Sequence, residues 1–244
     1  GGPVNMDSLS RALAAYQYSL VSGNSSFDKG YYGGESKAIT ESAKRGFEIF
    51  SGKGNCMACH LVTDEYALFT DEKLHNTGIG FKSSMYVEPP RKKLILAPGV
   101  EIDVDTSVYA NDSRFKNELK PNDLGLYLIT QDPSDRWKIR TPSLRNVELS
   151  GPYMHNGQLA TLRDVVEFYN EGGVKEVGKM KNETISPLMF PLNLSKQEVD
   201  DLVEFLKSLT GSNMDTLVMD AFAAPIGEVS LEDPNWFHDN KLKY

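Results

Sequence analysis

Cysteine placement constrains this chain more than any other feature. Its 244 residues hold two cysteines, both in one pentapeptide, Cys56-Met57-Ala58-Cys59-His60. Three chemistries use a Cys-x-x-Cys pair. A redox dithiol of the thioredoxin kind follows a strand and opens a helix. Here the residues upstream, 37–50, read as a helix through Ile39, Ala43, Phe47 and Ile49. A structural zinc site takes four ligands, and no further cysteine exists to complete one. A histidine directly after the second cysteine is the signature of covalent c-type haem attachment. Two thiols become thioethers, and the adjacent imidazole is held close enough to bind iron on the proximal side. The pentapeptide therefore predicts one covalently bound haem c on Cys56 and Cys59, with His60 as an iron ligand. It leaves no cysteine for a disulfide. It also points to the periplasm or another extracytoplasmic compartment, where such haem is generally attached.

The rest of the chain reads as helices separated by long turns. Residues 8–21 carry a periodic apolar face of Leu9, Ala12, Leu13, Tyr16 and Leu20. A stretch rich in Gly, Ser and Asp, 22–34, reads as loop. Residues 61–122 lack clean periodicity and hold turn signals at Asn76-Thr77-Gly78, Pro89-Pro90 and Pro98-Gly99, with a short extended piece at 93–96. Such a stretch fits a domain in which a cofactor supplies much of the core. A short helix is expected at 122–129. Thr161 with Asp164 predicts a capped helix running to Tyr169 and stopped by Gly172-Gly173. Ser195 with Glu198 predicts another, residues 195–209, with an apolar stripe of Val199, Leu202, Val203, Phe205, Leu206 and Leu209. The domain is expected to span 1–211, with 212–244 an irregular tail anchored by Trp236-Phe237. The opening Gly1-Gly2-Pro3 fits a processed or trimmed start. Lys and Arg number 26 against 34 Asp and Glu, a net charge of −8, so a broad basic surface for nucleic acid is not expected. No apolar run reaches the ~20 residues of a transmembrane helix.

A haem bound through His60 needs a sixth ligand or an open site, and that choice separates electron transfer from peroxide or gas chemistry. Three other histidines, His75, His155 and His238, eight methionines and eleven tyrosines are available. Spacing alone selects none of them.

Several phrases in order carry more information. They are Ser19-Leu20-Val21-Ser22-Gly23-Asn24-Ser25 with Phe27-Asp28, Cys56 to His60, and Phe69-Thr70-Asp71 with His75-Asn76-Thr77-Gly78. There follow Arg140-Thr141-Pro142-Ser143-Leu144-Arg145-Asn146-Val147, Pro152-Tyr153-Met154-His155-Asn156-Gly157, Thr161-Leu162 leading to Tyr169, and Leu206-Lys207-Ser208-Leu209-Thr210-Gly211. In this order they resemble the C-terminal haem domain of bacterial di-haem cytochrome c peroxidases, and particularly the MauG-like branch. The resemblance implies a mainly α, cytochrome c-like helical haem domain with long irregular loops and little β. It implies His60 as proximal ligand. The peroxidases place a distal methionine fourteen residues after the histidine of the Pro-Tyr-x-His phrase, where this chain has Tyr169. His–Tyr ligation is the MauG-like pattern. An anionic oxygen donor favours ferric and higher oxidation states over ferrous. Met154 is the alternative ligand. The resemblance further implies Arg145 and Arg140 as partners of the haem carboxylates, His155 near the haem edge, and a calcium ion on the backbone carbonyls of Ser150 and Pro152.

Similar enzymes carry two Cys-x-x-Cys-His motifs, and this chain carries one. By the resemblance, the peroxide-binding haem lies on an N-terminal domain or partner chain. This chain then holds or relays an electron or hole in an H2O2-dependent oxidoreductase. The electron donor would be a small cytochrome or a cupredoxin, or the target a protein substrate. The segment Gly52-Lys53-Gly54-Asn55 lacks the tryptophan that MauG uses toward its protein substrate. The alternative is a stand-alone mono-haem electron carrier or weak peroxidase.

Overall fold

The computed structural model describes residues 5–85, 91–97, 99–105 and 124–223. The chain divides into two compact units, Ser25–Thr210 and a second formed by the residues before and after it. In chain order the elements are α1 (Met6–Ser19), α2 (Ser26–Tyr31), α3 (Glu41–Ser51), β1 (Leu74–His75), α4 (Ile79–Met85), β2 (Arg91–Ala97), β3 (Val100–Asp105), α5 (Tyr127–Thr130), β4 (Ile139–Arg140), α6 (Leu162–Asn170), β5 (Glu176–Val177), β6 (Met180–Lys181), α7 (Lys196–Lys207) and α8 (Met214–Ala223). The strands pair only as antiparallel two-stranded ladders, β1 with β4, β2 with β3 and β5 with β6. The fold is thus mainly helical with little β, as expected. No described helix is long and apolar enough to cross a membrane.

Local chemistry sets the helix starts. Thr161 and Ser195 each accept the backbone N–H three residues on, and Asp164 and Glu198 reach back to the cap N–H. Each box satisfies two N-terminal donors that the helix itself leaves open. Ser25 and Asp28 make a third, opening α2 inside the stretch read as loop. A six-residue helix is too short to show periodicity, so only its cap could have signalled it. The α3 helix starts at Glu41, capped by Thr40, four residues later than expected. The extended piece at 93–96 lies within β2, whereas Pro89-Pro90, the start of the helix expected at 122–129, His238 and Trp236-Phe237 fall outside the described residues.

The larger unit is built on α3 crossing α7. Phe205 lies 4.9 Å from Phe50 and 5.5 Å from Phe27 between ring centroids, and Phe27, Phe69 and Phe205 are fully buried. The helices meet backbone to backbone at Gly46, where a Cβ would stand 2.0 Å from the Asp201 carbonyl oxygen. Beside this crossing, Arg45 donates Nε and Nη2 to the Asp201 carboxylate, both at 2.7 Å, and Ser42 Oγ and Gln197 Nε2 donate to it as well. Asp201 is 2% exposed. Arg45 holds its carboxyl down to about 2, against the opposing effect of burial, with Ser42 and Gln197 adding to the depression. A depressed carboxylate stabilises the fold above its unfolded pKa of ~3.9 and loses that contribution as pH falls through the folded value. Asp201→Asn is therefore expected to melt several degrees below the native chain at pH 7. The gap should close as pH approaches 2, and melting curves across pH 2–7 check this. A gap that does not depend on pH would remove the ion pair from the explanation.

In the smaller unit, Asn213 Nδ2 donates to the Val21 carbonyl at 2.8 Å and Ser212 N donates to Gly23 O at 3.2 Å. The α1 helix forms near the expected span, but no residue on it is buried, so Leu9, Leu13 and Tyr16 are exposed. Residues 214–223 correct the reading of 212–244 as irregular, because they form α8. Leu217, Val218 and Met219 are consecutive, and a contiguous apolar run has no helical period to detect.

Candidate haem site

The Cys-x-x-Cys-His motif follows α3 through a tight glycine turn. Gly54 approaches the Ile49 carbonyl so closely that a Cβ would stand 2.8 Å from it. Cys56–Ala58 then form a single 3₁₀ turn, and His60 N donates to Cys56 O at 2.9 Å. This turn directs Cys56, Cys59 and His60 into one cavity of about 440 Å³, within the ~300–1,000 Å³ typical of small-molecule and cofactor sites. Its walls include Leu144, Leu162, Val165, Val166, Leu202 and Leu206.

The donor chemistry distinguishes the readings of the motif. Burial pushes the Cys56 thiol up to about 12 and raises Cys59 as well, the opposite of the low-pKa thiolate a redox dithiol requires. His60 Nδ1 lies 2.8 Å from the Phe69 carbonyl oxygen. A carbonyl only accepts, so Nδ1 carries the proton and Nε2 keeps its lone pair. That is the tautomer of a histidine ligating metal through Nε2. Burial lowers the His60 pKa, more than the Phe69 carbonyl raises it, and keeps the ring in its neutral, ligating form.

Tyr169 borders the same cavity, from the last turn of α6. Burial raises its phenol pKa, and the two cysteine sulfurs add to the effect. Tyr169 is only partly buried, and among the described residues no hydrogen bond ties up its hydroxyl, which leaves the oxygen available as a donor to a cation. The end of α6 is fixed in two ways. Asn170 exchanges hydrogen bonds with the backbone of Leu194, and Gly172 and Gly173 take φ +86° and +71°. A Cβ on Gly172 would meet the Phe190 carbonyl carbon at 2.7 Å. These residues fit a covalently bound haem. Cys56 and Cys59 would hold it, and His60 and Tyr169 are the available nitrogen and oxygen donors.

The remaining expected residues divide. Arg140, Met154, His155, Ser150 and Pro152 all border the cavity. Arg140 is largely exposed and paired with Glu72; His155 and Ser150 are exposed. Arg145 does not border the cavity. Its guanidinium donates to Asp28 and to the Ala67 carbonyl, so its charge is already partnered. His75 borders the cavity but gives Nε2 to Asp71 at 2.8 Å. With Cys59 these form the described grouping of His, Cys, Asp and Glu close enough to share a cation, a use that thioether formation at Cys59 would remove. Sequence reasoning missed two members of the site. Trp137 lines the cavity, with Nε1 donating to Ser84. Phe69 contributes only a backbone carbonyl to His60, which residue type cannot signal.

No protein-family model matches the chain. The cytochrome-c peroxidase IdrP2 of Denitromonas iodatirespirans is 37% identical over 205 residues, covering 84% of this chain and 49% of that protein. The methylamine utilization protein MauG of Methylorubrum extorquens is 34% identical over 209 residues, covering 85% and 45%. Among solved structures, a MauG-like protein associated with microbial copper homeostasis matches at TM-score 0.59 and 30% identity, covering 86% of this chain and 59% of that one. Fold and motif together define a mainly helical chain with a candidate c-type haem attachment site. The chain is related, at moderate identity, to the di-haem cytochrome c peroxidase and MauG-like family. It spans about half the length of the curated relatives it matches.

Proposed function

We propose that this chain is the C-terminal type of haem domain of a MauG-like di-haem peroxidase, and that it stores or relays an electron or hole. One observation carries this reading: His60, both cysteines and Tyr169 line a single cavity. When bound, the haem supplies one-electron chemistry. The chain's residues attach it through Cys56 and Cys59, orient His60 through the Phe69 carbonyl, and enclose it in apolar side chains that limit water. If His60 and Tyr169 both served as donors to the iron, peroxide would have to react at a second haem. The half-length match to relatives supports that haem lying on another domain or partner chain.

The same proposal includes an extracytoplasmic, periplasmic location and a small cytochrome, cupredoxin or protein substrate as redox partner. It also includes a calcium ion on the Ser150 and Pro152 carbonyls. Native mass spectrometry with haem and metal quantification, on the protein isolated from its source, tests it. The expected result is two haems per assembly, one of them on Cys56 and Cys59. A single haem per assembly would replace the proposal with a mono-haem carrier or weak peroxidase.

A further inference from the structure

The carbonyl that holds His60 belongs to a residue in a costly conformation. Phe69 has φ +54°, the left-handed region, which costs a residue bearing a Cβ roughly 1–2 kcal/mol. Its ring is fully buried, and both carbonyls before it are held by side chains from one short segment. Ser143 Oγ donates to Leu68 O at 2.7 Å. Arg145 donates Nε and Nη2 to Ala67 O at 2.9 and 2.7 Å, and its guanidinium carbon lies 5.2 Å from the Phe69 ring centroid. The third arm of the guanidinium, Nη1, donates to Asp28 Oδ2 at 2.7 Å. Asp28 is itself fixed, because the Ser25 backbone N–H and hydroxyl donate to the same oxygen. On the far side of Phe69, Thr70 Oγ1 donates to Thr141 O at 2.7 Å.

We propose that Arg145, backed by Asp28, is a positioning residue for His60. It holds the Ala67–Phe69 turn so that Phe69 O keeps the Nδ1 proton, and thereby sets how strongly His60 donates electrons to a bound iron. This rests on the haem reading above. It replaces the haem-carboxylate role that the resemblance implied for Arg145. The physical link is that an acceptor on the distant ring nitrogen raises the basicity of the ligating one. Loosening the turn lengthens that hydrogen bond, weakens the ligand and favours ferrous iron.

The test uses the haem-loaded chain, native and with Arg145→Met, Arg145→Lys and Ser143→Ala. Two readouts respond to ligand strength and not to stability alone. They are the haem midpoint potential and the solvent exchange of the paramagnetically shifted His60 Nδ1–H resonance. Arg145→Met is expected to raise the potential and speed the exchange. Arg145→Lys can keep the Asp28 pair but cannot donate twice to Ala67 O, so it should fall between Met and native. Ser143→Ala should shift both readouts the same way by less, and serves if Arg145→Met does not fold. Native potential and exchange in Arg145→Met would overturn the proposal even with a lowered melting temperature. If that variant does not fold, native values in both other variants would do the same. Failure of the haem reading would look different: the native chain itself would carry no haem on Cys56 and Cys59.

Discussion

Cys56→Ala/Cys59→Ala loses all covalent haem, and once any residual haem is washed out the chain no longer melts cooperatively. The first part follows from the chemistry, since no other cysteine exists to form a thioether. The second follows from the size of the cavity. Emptying a space of about 440 Å³ leaves the side chains around it without packing partners, a loss that grows with the volume left unfilled. Water replaces those contacts poorly along Leu162, Val165, Val166, Leu202 and Leu206, which offer it no hydrogen bonds. The walls are drawn from α3, α6, α7 and the 137–155 segment, so the loss propagates through the larger unit. Denaturing mass spectrometry checks the attachment, and calorimetry of the haem-free variant checks the melt. A sharp transition near that of the haem-loaded native chain would show that α3 and α7 alone hold the fold.

Tyr169→Phe is expected to move the ferric haem spectrum toward high spin and to raise the midpoint potential. The substitution keeps the ring and removes only the hydroxyl. In the haem-free chain that hydroxyl borders the cavity and makes no described hydrogen bond, so it contributes nothing to the fold. Haem-free Tyr169→Phe should therefore be as stable as the native chain. In the loaded chain the hydroxyl matters. A bound cation stabilises the deprotonated oxygen that burial otherwise opposes, and its removal takes away an anionic donor. Met154→Leu, at the alternative ligand bordering the same cavity, should leave the spectrum alone. An unchanged low-spin spectrum and potential in Tyr169→Phe, or a change in Met154→Leu instead, would move the assignment away from Tyr169.

Much of this was legible in the sequence because it depends on short-range patterns. The Cys56-x-x-Cys59-His60 spacing names its cofactor through geometry that five consecutive residues can hold. Thr161 with Asp164 and Ser195 with Glu198 mark helix starts because the capping bonds close within four residues. Apolar periodicity located α3, α6 and α7 to within a few residues. What failed was short or non-periodic: α2, with only its Ser25–Asp28 cap as a signal, and α8, whose apolar residues run together.

The site shows the same division. Its covalent anchor and the presence of a tyrosine at 169 could be read from the chain. Whether that tyrosine shares a cavity with His60 could not, because they lie 109 positions apart and only the packing of α6 on α7 brings Tyr169 to the cysteines. The role of Arg145 shows the limit most clearly. Residue type says that a guanidinium will find oxygen acceptors. Which oxygens it finds depends on Asp28 and the Ala67 carbonyl, groups distant in sequence that the fold brings beside it.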